Sequence, residues 1–192
     1  MAEDRDFLLT PEFRLAFPSV FEPTQYGEQG KPKYTITMLF PKDVDITSIK
    51  QMCKQAVIDK WGADQSKWPT PLALPFGDGD TKQWDGFPGC TFVRATSLYP
   101  PGLVDQTRQE IIDRSKVYGG AYGRAQVNAY SWEFMGKYGV SVGLQNLQIL
   151  RDGEPFGNRQ NAADAFDDAM SGSVPETTGQ SGATAGDGDI FN

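Results

Sequence analysis

The chain has 192 residues, a formal charge of −7, 39% hydrophobic and 12% aromatic residues, two cysteines and no histidine. That length suits one ordinary domain, the apolar content can build a core, and the missing histidine removes the commonest general base and metal ligand. No apolar run approaches the ~18 residues of a membrane span, and the acidic opening MAEDRDFLLT is unlike a signal peptide.

Taken in chain order, EFRLAFPSVF alternates Phe13, Leu15 and Phe17 against Arg14 and Ala16, the period of a half-buried strand. KPKYTITMLF repeats it, with Tyr34, Ile36, Met38 and Phe40 on one face and Lys33, Thr35, Thr37 and Leu39 on the other, until Pro41 stops the strand. DITSIKQMCKQAVIDKWG switches to helical spacing: Ile49, Met52, Cys53, Ala56, Val57 and Trp61 form one stripe and Gly62 ends it. Residues 63–89 carry turns, prolines and tryptophans without sustained periodicity. An ordered excursion is expected there, because Trp68, Trp84 and Phe87 are costly to leave in water. CTFVRATS reads as a short strand, YPPGLVD as a turn, and TRQEIIDRSKV as a short helix or an irregular link. YGGAYGRAQVNAYSWEF and YGVSVGLQNLQIL then read as two long strands, a hairpin around Gly136 with Gly-Lys in its connection.

Cys53 lies on the apolar helix stripe and Cys90 opens a strand, so both are expected to be small core residues, unpaired in a reducing compartment. After Arg151 the pattern fades. NAADAFDDAM has room for one or two helical turns, and SGSVPETTGQSGATAGDGD has the composition of a flexible linker of roughly 20 residues, reaching on the order of 25 Å. Strands, a helix, more strands and a free tail fit a small partly closed β-barrel better than a sandwich. The fold expected is mainly β with minor α: an OB-like five-stranded, partly open barrel with an inserted helix and long loops over residues 1–167, and a disordered acidic tail over 168–192.

The negative charge is not evenly spread. Residues 160–192 hold six acids and no base, which leaves residues 1–159 with 19 acids against 18 bases. A nearly neutral body does not exclude a nucleic-acid partner, because phosphates respond to the local field.

One strand carries the most informative pattern. Between Tyr122 and Trp132 one face is small (Gly123, Ala125, Val127, Ala129, Ser131) and the other is Tyr122, Arg124, Gln126, Asn128, Tyr130 and Trp132. Aromatic rings stack on bases of any sequence at roughly 1–3 kcal/mol per base, while guanidinium and amide groups hold phosphates or base edges. Tyr118, Lys116 and Arg114 extend the theme upstream, and Lys31, Lys33 and Arg94 add positive charge if their strands are neighbours. The competing reading is ordinary packing, with Tyr130 and Trp132 covered by the 63–89 excursion and Arg124 paired with a carboxylate. Gly119, Gly120 and Gly123 lack the helix-opening context and the Lys-Ser/Thr of a phosphate loop. An enzyme reading rests on Asp78, Asp80 and Asp85 as a two-metal nuclease cluster, but their spacing fits no metal loop and suits turns.

The stretch VYGGAYGRAQVNAYSWE, followed by KYGVSVGLQNLQILRDGEPFGNRQNAADAF, resembles a family of bacteriophage-encoded single-stranded-DNA-binding proteins. The resemblance covers most of residues 10–167 and is most specific from Val117 to Gly157, with KYTITMLFPK and FVRATS fitting its earlier part. It implies an OB-type barrel, sequence-tolerant binding of single-stranded DNA, and a role in phage DNA replication, recombination or repair in the cytoplasm of the infected bacterial host. It implies no catalysis, no cofactor or metal, no membrane, and a possible homo-oligomer; a single-strand annealing mediator is the alternative that the same surface would serve.

The tail ends in Asp187, Gly188, Asp189, Ile190, Phe191 and Asn192. Its carboxylates mimic the charge of DNA and are expected to compete with it, while Ile190 and Phe191 offer an apolar anchor to replication proteins such as a polymerase or helicase.

Overall fold

The computed structural model describes residues 7–25 and 30–157. The proposed tail, with Asp187, Asp189, Ile190 and Phe191, and the boundary at residue 167 lie outside the described residues.

Nine strands are present among the described residues: β1 (Leu8–Leu9), β2 (Phe13–Thr24), β3 (Lys33–Pro41), β4 (Leu72–Ala73), β5 (Phe76–Asp78), β6 (Cys90–Ser97), β7 (Gly102–Val104), β8 (Tyr122–Phe134) and β9 (Lys137–Arg151), with helix α1 (Thr47–Trp61) between β3 and β4. Five of them form a ring. β8 pairs antiparallel with β2, β2 with β3 and β3 with β6; β6 pairs parallel with β9, and β9 returns antiparallel to β8. The ring is the expected OB-like barrel, and it is only partly closed. β6 and β9 touch through Ala95↔Val142 and Thr96↔Gly143 alone, and β2 and β8 through Phe13↔Gly123 and Arg14↔Tyr122.

The alternation read from the sequence is what fills the barrel. Phe13, Leu15, Ile36, Met38, Phe40, Val93, Ala95, Ala125, Val127, Val142 and Leu147 are each at most 1% exposed and belong to one core. Each such side chain contributes roughly 1.5–3 kcal/mol on leaving water. Helix α1 closes one end of the barrel. Asp45 opens it by accepting the Thr47 N–H at 2.8 Å, and Gly62, at φ +88°, stops it by donating to the Ile58 carbonyl at 2.7 Å. Its buried stripe is Ile49, Cys53 and Val57, with Met52, Ala56 and Trp61 packed at the margins, so the expected stripe is the face that meets β8 and β9. Burial pushes the Cys53 thiol up to about 12, which makes it an inert core group.

The 63–89 excursion is ordered, and it has a structural task. Its strand β4 pairs parallel with the start of β9 (Leu72↔Tyr138) and β5 pairs antiparallel with β6 (Gly77↔Phe92). Together they occupy the gap where β6 and β9 part. Further on, Phe87 packs with Ala16, Leu39 and Phe92 outside the barrel. The second face of β3 is therefore not left to solvent: Thr35, Thr37 and Leu39 are buried as well.

Three further expectations change. Phe17 does not continue the alternation of Phe13 and Leu15; a bulge follows Ala16, Phe17 takes φ +47°, and its ring is 52% exposed. The YPPGLVD turn contains the short strand β7, parallel to β9. The β8–β9 connection is Met135-Gly136, because Phe134↔Lys137 is the last ladder pair. Both turn residues have positive φ, +49° and +73°, the geometry that suits the right-handed twist of a two-residue hairpin.

Candidate nucleic-acid interface

β3 and β6 are neighbours over their whole length, from Tyr34↔Ser97 to Pro41↔Cys90. The condition for Lys33 and Arg94 to share a surface is therefore met. Paired residues on neighbouring strands point to the same side, so the outer face of the ring follows from the register. Thr37 stands beside Arg94, Thr35 beside Thr96, Thr96 beside Gly143, and Gly143 beside Asn128. One step along, Ser141 is opposite Tyr130 and Gly139 opposite Trp132.

Tyr130 and Trp132 lie on β9 where it has almost no side chains. A Cβ on Gly139 would come within 2.4 Å of the Trp132 ring, and one on Gly143 would approach the Asn128 side-chain oxygen at 2.2 Å and the Tyr130 ring at 3.6 Å. The Trp132 indole N–H donates to Ser141 Oγ at 2.9 Å, and the Tyr130 hydroxyl reaches Thr96 Oγ1 at 3.5 Å. Below the strand, Ser131 Oγ donates to the Ala56 carbonyl of α1 at 2.8 Å. Both rings are held in place yet only half-buried. Exposed Arg94 lies in the same row, with Lys33 at the start of β3 and Lys31 just before it. Asn128 is only 8% exposed, with its side-chain oxygen over Gly143 next to the Tyr130 ring.

The other expected residues gather elsewhere. Ten residues of strand separate Tyr122 from Trp132, about 33 Å at 3.3 Å per residue, so the two ends of β8 cannot serve one small site. Tyr122 packs under Arg151, whose guanidinium lies 3.5 Å from the ring centroid, and Arg14 stands 5.7 Å away. The Tyr118 hydroxyl donates to the Gly153 carbonyl at 2.9 Å. Arg114 pairs with Glu22 at 2.5 Å, and exposed Lys116 is two residues further along. Arg124 donates to Gln148 at 2.7 Å, not to a carboxylate, and Gln148 donates in turn to the Asp105 carbonyl at 2.9 Å.

The carboxylates of the enzyme reading are engaged in loop structure. Asp78 and Asp80 both pair with Lys42, and Asp80 also accepts from Gly89 N–H at 2.6 Å. Lys42 is the largest influence holding Asp78 below the usual carboxylate range; for Asp80 the Gly89 N–H leads. Asp85 accepts from Gly157 N–H at 2.9 Å. Among the described residues no three acidic or cysteine groups converge as metal ligands. Among them, too, no helix is long and apolar enough to cross a membrane.

Sequence reasoning missed Arg14, Gly139 and Gly143. Each acts through a long-range neighbour, which no local pattern announces.

The family model described as the single-stranded-DNA-binding protein of Enterobacter phage Enc34 matches residues 7–176. A putative protein, p50, of Acyrthosiphon pisum secondary endosymbiont phage 1 is 34% identical over 165 residues, covering 81% of this chain and 89% of that one. The Enc34 protein in complex with single-stranded DNA superposes with a TM-score of 0.67 at 23% identity, over 79% of this chain and 89% of the other. The T7 single-stranded-DNA-binding protein gp2.5 shares the fold at a TM-score of 0.57 and 13% identity, over 88% of this chain and 99% of the other. With the matched region covering the whole of the barrel, the chain belongs to the phage single-stranded-DNA-binding protein family typified by that of phage Enc34.

Proposed function

We propose that the chain binds single-stranded DNA without sequence preference across the outer face of β6, β9 and β8, in phage DNA replication, recombination or repair inside the host cell. The observation that carries this is the seating of Tyr130 and Trp132 over the glycines of β9, each ring fixed by a side-chain contact and only half-buried. Rings already held in position lose little conformational freedom when a base stacks on them. Arg94, Lys33 and Lys31 supply phosphate contacts on the same side, and Asn128 sets the ring positions. Tyr118, Tyr122, Arg114, Lys116 and Arg124 belong to the far flank and act on a longer strand or on the shape of the barrel. The family membership and the DNA complex of the Enc34 relative support this reading. The acidic 168–192 segment is assigned the recruitment of replication proteins through Ile190 and Phe191, and its Asp187 and Asp189 compete with DNA phosphates.

Fluorescence anisotropy with labelled oligothymidine, against a duplex of equal length, tests the assignment. Trp132→Ala and Tyr130→Ala each lower single-strand affinity about 5- to 150-fold, the effect of losing one stacked base. Unchanged affinity in both folded variants would overturn the placement.

A further inference from the structure

A second aromatic cluster lies on the outside of β2, well away from Trp132. Phe17 and Trp84 are 52% and 49% exposed, although Phe87 beneath them is fully buried. Trp84 meets Phe17 edge-on at 5.4 Å and Phe87 at 5.1 Å. With Tyr118 and Phe156 they line an open cleft of about 540 Å³, within the size range of pockets that take small planar ligands. Phe156 is itself clamped, with the Arg14 guanidinium 4.3 Å from its ring centroid.

Two features set this cleft apart from incidental surface. The Phe17 backbone sits at φ +47°, a conformation that costs a bulky side chain energy, and the ring lies out of the strand alternation and against Trp84. A cation outside the lining also meets the cluster: the Lys82 ammonium lies over the Trp84 ring, 5.3 Å from its centroid. An exposed aromatic with an ammonium beside it matches a base and its phosphate.

Strand pairing links the cleft to the face assigned to DNA, over small side chains that are themselves buried. Ala16, next to Phe17, pairs with Thr37, and Thr37 pairs with Arg94. Arg94 is one strand from Ser141 and two from Tyr130. From β2 to β9 is three strand spacings, roughly 14 Å, the length of about four nucleotides at 3.4 Å each.

We propose that the Phe17–Trp84 cleft is a second nucleobase station, where a base of the same DNA strand stacks on Trp84 and Lys82 holds a neighbouring phosphate. The inference rests on the single-strand reading of the Tyr130–Trp132 face and extends it to a track across β2, β3, β6 and β9.

Oligothymidines of about 3 and about 15 nucleotides separate the two stations, because three nucleotides fall short of the roughly four that the track spans, while a single barrel of this type covers up to about 16. With the full chain, Trp84→Ala lowers affinity for the longer strand about 5- to 150-fold and leaves the shorter one unchanged. Trp84→Phe keeps most of the affinity, which guards against a folding defect. Lys82→Gln reduces the salt dependence of the longer strand by about 0.7 in log–log slope. Iodouracil-substituted strands irradiated on the unmodified protein crosslink to the peptide containing Trp84 as well as to that containing Trp132. If Trp84→Ala binds both lengths normally while Trp132→Ala does not, and no crosslink reaches Trp84, the station is overturned and the cleft is left to an apolar segment of a protein partner. If the unmodified protein binds neither strand, the single-strand reading falls and takes the station with it.

Discussion

At the scale of single residues, five aspartates perform the same local task. Asp45, Asp64, Asp78, Asp105 and Asp113 each accept the backbone N–H two positions on, at distances from 2.7 to 3.1 Å. This is the turn that Asp makes by folding its carboxylate back on its own chain, and four of the five precede a Ser or Thr at the second position. The Ser or Thr hydroxyl, followed by backbone N–H donors, holds Asp45, Asp64, Asp105 and Asp113 below the usual carboxylate range; for Asp78 the Lys42 contact leads. Their folded-state pKa values are depressed, so what they contribute is present above the ordinary carboxylate value of about 4 and is lost as pH falls through the lower folded one. With no histidine in the chain, nothing comparable titrates between about pH 6 and 8. Thermal melts are therefore expected to give a flat melting temperature across that interval and a fall below about pH 4. Asp105→Asn lowers the melting temperature at neutral pH and makes the acid limb shallower. A steep change near pH 6.5 would contradict this.

At the scale of elements, the β8–β9 hairpin joins sequence to site. Its two-residue turn sets the register that brings Trp132 opposite Gly139 and Tyr130 opposite Ser141. Gly139→Ala places a methyl where the Trp132 ring lies, 3.0 Å from the Ala73 carbonyl of β4 as well. The expected result is a lower melting temperature and a loss of oligothymidine affinity approaching that of Trp132→Ala. Unchanged affinity would mean that the ring need not lie on that strand. The alternation of β8 was legible in the sequence: Gly123, Ala125 and Val127 are buried as the pattern requires. The division of its other face was not. A 13-residue strand winds around a barrel, so Tyr122 meets Arg14 and Arg151 while Trp132 meets β9. Phe17 escaped the pattern for a related reason. A bulge shifts side-chain parity, and no periodicity within β2 forecasts it.

At the scale of the whole molecule, charge is partitioned between a nearly neutral body and an acidic end, 19 acids and 18 bases against six acids and none. If the acidic end competes with DNA, removing residues 168–192 strengthens oligothymidine binding, most at low salt, where exposed charges are least screened. Anisotropy across a salt series on both chains measures it. Equal affinity at every salt concentration would leave that segment to partner recruitment alone.

The sequence by itself determined the class of fold, the helix that closes the barrel, the core faces of β3 and β8 and the start of that of β2, and the strand with the aromatic and amide face. Those features are written in periodicities of two and 3.6 residues, which depend only on near neighbours in the chain. Tertiary structure alone decided which aromatics stay open. The 63–89 segment packs over Leu39 but leaves Tyr130 and Trp132 half-buried and Trp84 half exposed, and glycines 7 and 13 residues from Trp132 and Tyr130, across the β8–β9 hairpin, make room for those two rings. Exposure is a property of what the rest of the chain leaves uncovered, so it is settled only when strands distant in sequence have paired.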